Sequence, residues 1–207
     1  MIINYKNKEQ EVLVKTNLKK LLDKIPNLRS VIETLNKNNI KYGLYAGAHV
    51  AVLTSNREST DVDLLVADED FDKLKELFPN SVIKGGKSNI SDGIFLYPGG
   101  EEKIEFMANA NMIEDGKKYP NRLTEAVWNK VVRYEVDGLT FLMLDPVDTV
   151  VMKAILQRGK GQGKHDIEDI EAIVNVIDLD KEYLKARLKE VEADKRVFRV
   201  LKKFNLI

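Results

Sequence analysis

The chain has 207 residues, enough to bury a core as one compact unit or two small ones without covalent staples. It contains no cysteine, which excludes a disulfide framework, a thiolate metal site and a cysteine nucleophile, and its two histidines, His49 and His165, argue against a His-rich zinc site. Lys plus Arg and Asp plus Glu number 33 each, so no overall field recruits nucleic acid or an anionic membrane, and any polyanion must be held by a local patch.

The start of the chain, Met1 to Lys8, has no apolar stretch after a basic beginning, and no run approaches the roughly 18 to 20 residues of a membrane span. A soluble, cytoplasmic protein with no membrane partner is expected. Leu13, Leu18, Leu21, Leu22 and Ile25 recur at helical spacing; Pro26 interrupts them and Leu28, Val31, Ile32 and Leu35 resume. This spacing predicts helices over residues 7–24 and 27–38. A short strand over 41–45, a small-residue helix over 46–53, a polar loop and a strand over 61–66 follow. A helix is predicted over 69–78, then strands over 93–97 and 103–108 turning at Pro98-Gly99-Gly100. Residues 131–142 read as a hairpin around Asp137-Gly138, the dipeptide that a type I′ turn favours. From Asp145 onward the pattern is helical, interrupted by the flexible stretch Gly159 to Lys164. The organisation is therefore α+β: N-terminal helices (1–40), a mixed-sheet core (41–144) and a helical C-terminal region (145–207).

Asp61 and Asp63 stand at i and i+2 of a strand, so both side chains leave one face, roughly 6 to 7 Å apart at their Cα atoms. Val62, Leu64 and Val66 take the other face into the core. Two converging carboxylates repel one another unless a cation sits between them, and Mg²⁺ prefers such oxygen ligands together with substrate phosphate. Upstream, Tyr45-Ala46-Gly47-Ala48 ends a strand and opens a helix. Glycine there lets the backbone approach a ligand, and first-turn N–H groups favour a phosphate. Taken alone, Gly47 reads as a turn glycine and Asp-x-Asp as two solvated acids on an edge strand.

As a set, Gly47-Ala48, twelve intervening residues and Asp61-Val62-Asp63 resemble the nucleotidyltransferase fold of the DNA polymerase beta superfamily. Arg57-Glu58-Ser59-Thr60 resembles the Arg-x-x-Thr lead-in of its small prokaryotic members. Ala48 departs from the pattern: it replaces a second Gly or Ser, losing a hydroxyl contact to phosphate while keeping the backbone N–H. The resemblance implies a nucleotidyltransferase-type mixed sheet with flanking helices and a third carboxylate on a nearby strand. Glu105 supplies one, with Ile104 and Phe106 turned inward beside it. By the resemblance Glu105 would take the acceptor's proton, although the family usually has Asp there.

In the tail, residues 146–158 form a mostly apolar helix whose polar positions Thr149, Lys153 and Gln157 make one stripe. The next helix opens on Lys164-His165-Asp166 with Asp169 one turn on. This order resembles the tail of abortive-infection-type nucleotidyltransferase toxins, which implies phosphate binding by Lys153 with Asp166 or Asp169 near the site. Without the resemblance, the two acids are ordinary first-turn residues opposing the helix dipole. His165 reads as an exposed helix start and His49 as packed near the phosphate loop. No Gly-x-x-x-x-Gly-Lys-Ser/Thr occurs, and Gly159 to Gly163 follows a helix, which argues against a P-loop.

The expected chemistry is Mg²⁺- or Mn²⁺-dependent nucleotidyl transfer from an NTP. Asp61, Asp63 and Glu105 would be catalytic and metal-binding; Gly47, Ala48, Arg57, Thr60, Lys153, Asp166 and Asp169 would hold the nucleotide. The acceptor, an RNA end, a protein or a small molecule, is left open. Lys195, Arg196, Arg199, Lys202 and Lys203 could touch RNA but read first as a solvated helix face. The alternative is a non-catalytic regulator on the same fold, with a toxin–antitoxin partner.

Overall fold

Pro26 has no N–H to give, and Asn27 beside it takes a left-handed turn (φ 62°), so the opening helical pattern divides there. The computed structural model of the chain describes residues 3–87, 91–98, 103–162 and 164–207, with the backbone alone at Gly86 and Lys87. Helix α1 (Glu9–Lys24) buries Val14, Leu18, Leu21 and Leu22, and α2 (Leu28–Lys37) buries Leu28, Val31, Ile32 and Leu35, the faces that the spacing predicts.

Strand β1 (Tyr42–Tyr45) runs straight into α3 (Ala46–Thr54); β2 (Val62–Val66) and α4 (Phe71–Leu77) follow. Strands β3 (Val82–Lys87), β4 (Ser91–Tyr97), β5 (Ile104–Glu114) and β6 (Lys117–Asn121) precede the single turn of α5 (Glu125–Trp128). The hairpin β7 (Val132–Val136) and β8 (Leu139–Met143) closes the sheet, and helices α6 (Pro146–Leu156), α7 (Asp166–Val176), α8 (Lys181–Glu190) and α9 (Lys195–Lys203) complete the chain.

The strands form one mixed sheet in the order β3-β4-β5-β2-β1-β8-β7, with β6 paired to β5 beyond that path. β2 lies parallel to β5 and β1 parallel to β8, while the remaining pairs are antiparallel. The α+β class expected from the sequence is the one observed. Helix α6 is buried at every residue and packs against α3, β5, α7, α8 and α9. Inside this packing Asp148 of α6 meets Arg187 of α8 at 2.7 Å and accepts a hydrogen bond from Tyr183. Among the described residues no helix is long and apolar enough to cross a membrane.

Several elements differ from the sequence reading. β3 was not expected, because Val82-Ile83-Lys84-Gly85-Gly86 is too short and glycine-rich to signal a strand; pairing with β4 along its length supplies what propensity does not. β5 continues past residue 108 to Glu114 and returns as β6 through Asp115 (φ 49°) and Gly116 (φ 74°), a tight turn like the one expected and found at Asp137 (φ 48°) and Gly138 (φ 75°). The polar run Asn109-Ala110-Asn111 conceals that extension in the sequence. The predicted helix over 146–158 stops at Leu156, since Gln157 turns left-handed (φ 50°). Gly99 and Gly100 of the predicted turn, and Gly163 of the flexible stretch, lie outside the described residues; Lys160–Gln162 forms a single 3-10 turn.

Candidate active site

Alternation along β2 sends Val62 and Leu64 into the core and leaves Asp63 on the opposite face. β5 does the same with Ile104 and Phe106 buried and Glu105 open. The parallel register of the two strands places Asp63 opposite Glu105, and the antiparallel register with β1 places Asp63 opposite Tyr45. Asp61, two residues upstream, is anchored by Ser59, whose hydroxyl donates to the Asp61 carbonyl (3.0 Å) and to Oδ1 (3.1 Å). Tyr97 of β4 donates to Glu105 Oε2 at 2.5 Å. Asp63 is partly buried; its desolvation, then the nearby charges of Glu105 and Asp61, push its pKa up to about 7 against the pull of Lys164 and Lys153.

At the end of β1 the backbone makes a sharp change of hand. Ala46, the first residue of α3, adopts φ 55°, a left-handed conformation that costs an L-residue energy, immediately before Gly47. A Cβ on Gly47 would lie 2.4 Å from Nη2 of Arg57, so the guanidinium occupies the space that any other residue would fill. The next residue, Ala48, is buried against the core and does not reach the cleft wall.

A cleft of about 720 Å³ opens over these groups. Gly47, Arg57, Thr60, Asp61, Asp63, Glu105 and Lys153 all line it. Asp166 and Asp169 do not; they lie behind the wall, fully buried, and pair with Lys153 Nζ at 2.9 and 2.7 Å. Asp166 also accepts from the backbone N–H of Arg158 (2.8 Å) and from its Nε (2.9 Å). Burial alone would raise the Asp166 pKa, but hydrogen bonds and charge from Arg158 and Lys153 outweigh it and hold the group below the usual carboxylate range. Arg57 Nε stands 3.6 Å from Asp169 Oδ1.

Several lining residues have no site role in the sequence reading. Arg158 and Lys164 add cations beside Lys153, and His165, expected as an exposed helix start, is part-buried at the same rim. On the far side Lys84 of β3, Phe95 of β4 and Met107 of β5 are in register across three strands, with Tyr97, Asn111 and Met112 nearby. The period-two pattern Phe95, Tyr97 is a visible trace of this wall in the sequence; the pairing that completes it is not. His49 is fully buried between α3 and α6, its Nδ1 2.8 Å from Thr149 Oγ1, and burial lowers its pKa to about 3. Arg196 of the C-terminal basic cluster turns inward, donating to the Ile155 carbonyl at 2.6 Å.

Among the described residues, no three carboxylate or imidazole side chains stand close enough together to form a ready metal cluster. The donor chemistry nonetheless fits a hard divalent cation: Asp61, Asp63 and Glu105 offer only oxygen ligands, and their mutual repulsion is what such a cation would relieve. Ser59 and Tyr97 hold two of the three in their present positions.

A family model described as "uncharacterised nucleotidyltransferase" matches residues 14–206. The chain belongs to this nucleotidyltransferase family. That description does not include the abortive-infection type suggested by the tail, and neither it nor the descriptions of the structures that follow name a toxin–antitoxin partner. The fold recurs in the crystal structure of TM1012 from Thermotoga maritima, at 16% identity and a TM-score of 0.50 over 72% of this chain and 90% of that one. The solution structure of the antibiotic-resistance factor ANT(2'')-Ia aligns over 92% of this chain and 90% of its own at 12% identity (TM-score 0.46). The lincosamide antibiotic adenylyltransferase LnuA aligns over 71% and 96% at 11% identity (TM-score 0.46). No curated protein sequence matches the chain significantly.

Proposed function

We propose that this nucleotidyltransferase moves a nucleoside monophosphate from an NTP to an acceptor hydroxyl with the help of Mg²⁺ or Mn²⁺. The observation that carries the reading is the register of Asp63 with Glu105, with Asp61 just upstream, facing a wall that bears Arg57 and Lys153 in the same cleft. Asp61, Asp63 and Glu105 would hold the cation. When bound, it supplies charge neutralisation at the phosphates and lowers the cost of bringing a nucleophile to them. Gly47 leaves room for the Arg57 guanidinium against the first turn of α3, and Arg57, Thr60 and Lys153 bind and orient the phosphates. Glu105, directed by the hydrogen bond from the Tyr97 hydroxyl, accepts the proton of the acceptor hydroxyl. Nucleotidyl transfer then releases pyrophosphate.

For the acceptor, the Phe95 and Met107 wall supports a small molecule with an apolar or aromatic face over an RNA end or a protein hydroxyl. Among the described residues this wall offers stacking surface and the cation Lys84, itself held over the Tyr97 ring, where a nucleic acid would require a basic track along its backbone.

The test is incubation with labelled NTPs, Mg²⁺ and candidate acceptors, comparing wild type with Asp61→Ala plus Asp63→Ala. Wild type is expected to bind nucleotide in a metal-dependent manner and transfer label; the double variant should do neither while remaining folded. Equal binding and transfer by the two proteins would overturn the reading.

A further inference from the structure

Arg57, Lys153 and Arg158 reach one wall of the cleft from three places: the loop before β2, the last turn of α6 and the segment beyond it. Three cations side by side in a partly desolvated wall repel one another and have many rotamers in which to escape. Two aspartates behind the wall prevent this. Asp166 binds Lys153 Nζ at 2.9 Å and Arg158 Nε at 2.9 Å, and Asp169 approaches Lys153 Nζ at 2.7 Å and Arg57 Nε at 3.6 Å. Each carboxylate therefore holds two of the three cations, and Lys153 is common to both.

The two aspartates stand at i and i+3 on α7, so one helix face carries both. Their exposures are 0% and 1%, and neither reaches the cleft, so neither can touch a ligand there. An ammonium group has three protons, so these two partners leave Lys153 with donor capacity towards the cleft. Three cations balanced by two anions leave one net positive charge on this layer, presented by groups already fixed in place. Fixed donors spend little conformational entropy when a polyanion binds.

We infer that Asp166 and Asp169 are positioning residues that preassemble Arg57, Lys153 and Arg158 into a receptor for a polyphosphate chain, so that the cleft discriminates by phosphate number. The inference deepens the nucleotidyltransferase reading of the cleft and rests on it. It separates these aspartates from Asp61 and Asp63: the first pair acts on cations of the chain, the second faces the ligand.

Calorimetric binding of ATP and of AMP to wild type, Asp166→Asn and Asp169→Asn, with Mg²⁺ present, tests it. Asp166→Asn is expected to lose about 10- to 100-fold in ATP affinity, the range for a charge-assisted hydrogen bond, and Asp169→Asn, whose contacts are ion pairs without a hydrogen bond, up to about 10-fold, with AMP affinity unchanged in both. A role confined to stability would move both ligands together, and removal of a repelling negative charge would tighten ATP; either result, or unchanged ATP affinity, overturns the inference. Should the variants fail to fold, wild type with ¹⁵N-labelled lysines gives the second reading. The Lys153 ammonium should be protected from solvent exchange before ATP is added and shift on its addition; exchange as fast as that of surface lysines overturns the inference. Absence of ATP binding to wild type would instead remove the nucleotide reading of the cleft, and this inference with it.

Discussion

Asp63 on β2 and Glu105 on β5 stand opposite one another across parallel strands, two carboxylates at adjacent positions of one sheet face. The arrangement concentrates negative charge in the cleft; burial first, then the charges of Glu105 and Asp61, push the Asp63 pKa up to about 7. A carboxyl group whose folded pKa lies above its unfolded value destabilises the fold once ionised. Stability attributable to it falls as pH rises from about 4 towards 7, and the cost is fully present above that range. Asp63→Asn is therefore expected to raise stability at pH 8 in the absence of metal, by roughly 1 to 2 kcal/mol after allowance for solvent screening, or a Tm gain of a few degrees. The same variant should lose nucleotidyl transfer. Thermal denaturation at pH 5 and pH 8 checks the first half: a variant no more stable than wild type at pH 8 would show that the crowding is already relieved.

Gly47→Ala places a methyl group 2.4 Å from the Arg57 guanidinium. The obstructing atom is the far end of a flexible side chain, so the fold should survive with little change in Tm. Arg57 would have to move away from the phosphate end of the cleft, and ATP affinity is expected to fall roughly tenfold, as for the loss of one charged hydrogen bond. Calorimetry beside a thermal melt separates the two effects; a large Tm loss with unchanged ATP affinity would contradict the account.

His49 carries a pH signature. Its folded pKa of about 3 lies below the ordinary value of 6.5, because full burial penalises the imidazolium. The unfolded chain therefore binds a proton that the folded chain does not, and stability is lost as pH falls below about 6.5, by about 1.4 kcal/mol per pH unit through the range 6 to 4. His49→Asn, which can keep a hydrogen bond to Thr149, should flatten that slope. Urea denaturation of both proteins at several pH values gives the comparison; identical slopes would rule out His49 as the source.

Arg187 is buried against Asp148 at 2.7 Å, between α8 and α6. Truncation to Ala leaves a carboxylate in the core with Tyr183 as its remaining hydrogen-bonding side chain, and a loss of about 3 to 5 kcal/mol is expected. The double variant Arg187→Met with Asp148→Leu should lose less, since no unpaired charge remains. Chemical denaturation of the single and double variants measures the difference, and equal losses would show that packing volume, not charge, sets the cost.

Local chemistry made much of this protein legible from its residues in order. Apolar spacing marked α1, α2 and α6; Pro26 and Asp137-Gly138 marked breaks and turns; and Gly47-Ala48 with Asp61-Val62-Asp63 carried the resemblance that the family match and the fold support. These signals depend on neighbours within a helical turn or a strand repeat, so the linear sequence contains them. What it could not contain is pairing over distance. β3 exists because β4 lies beside it, and Glu105 meets Asp63 because β5 is in register with β2. The destiny of Asp166 and Asp169 is the sharpest case. In sequence they are two acids in the first turn of α7, equally suited to a helix dipole or to a cleft; the packing of α7 on α6 buries both and points them at Lys153. Burial and the identity of the opposing charge are properties of the folded chain, set by which surfaces exclude water, and they alone decided which acids face the cleft and which hold its cations in place.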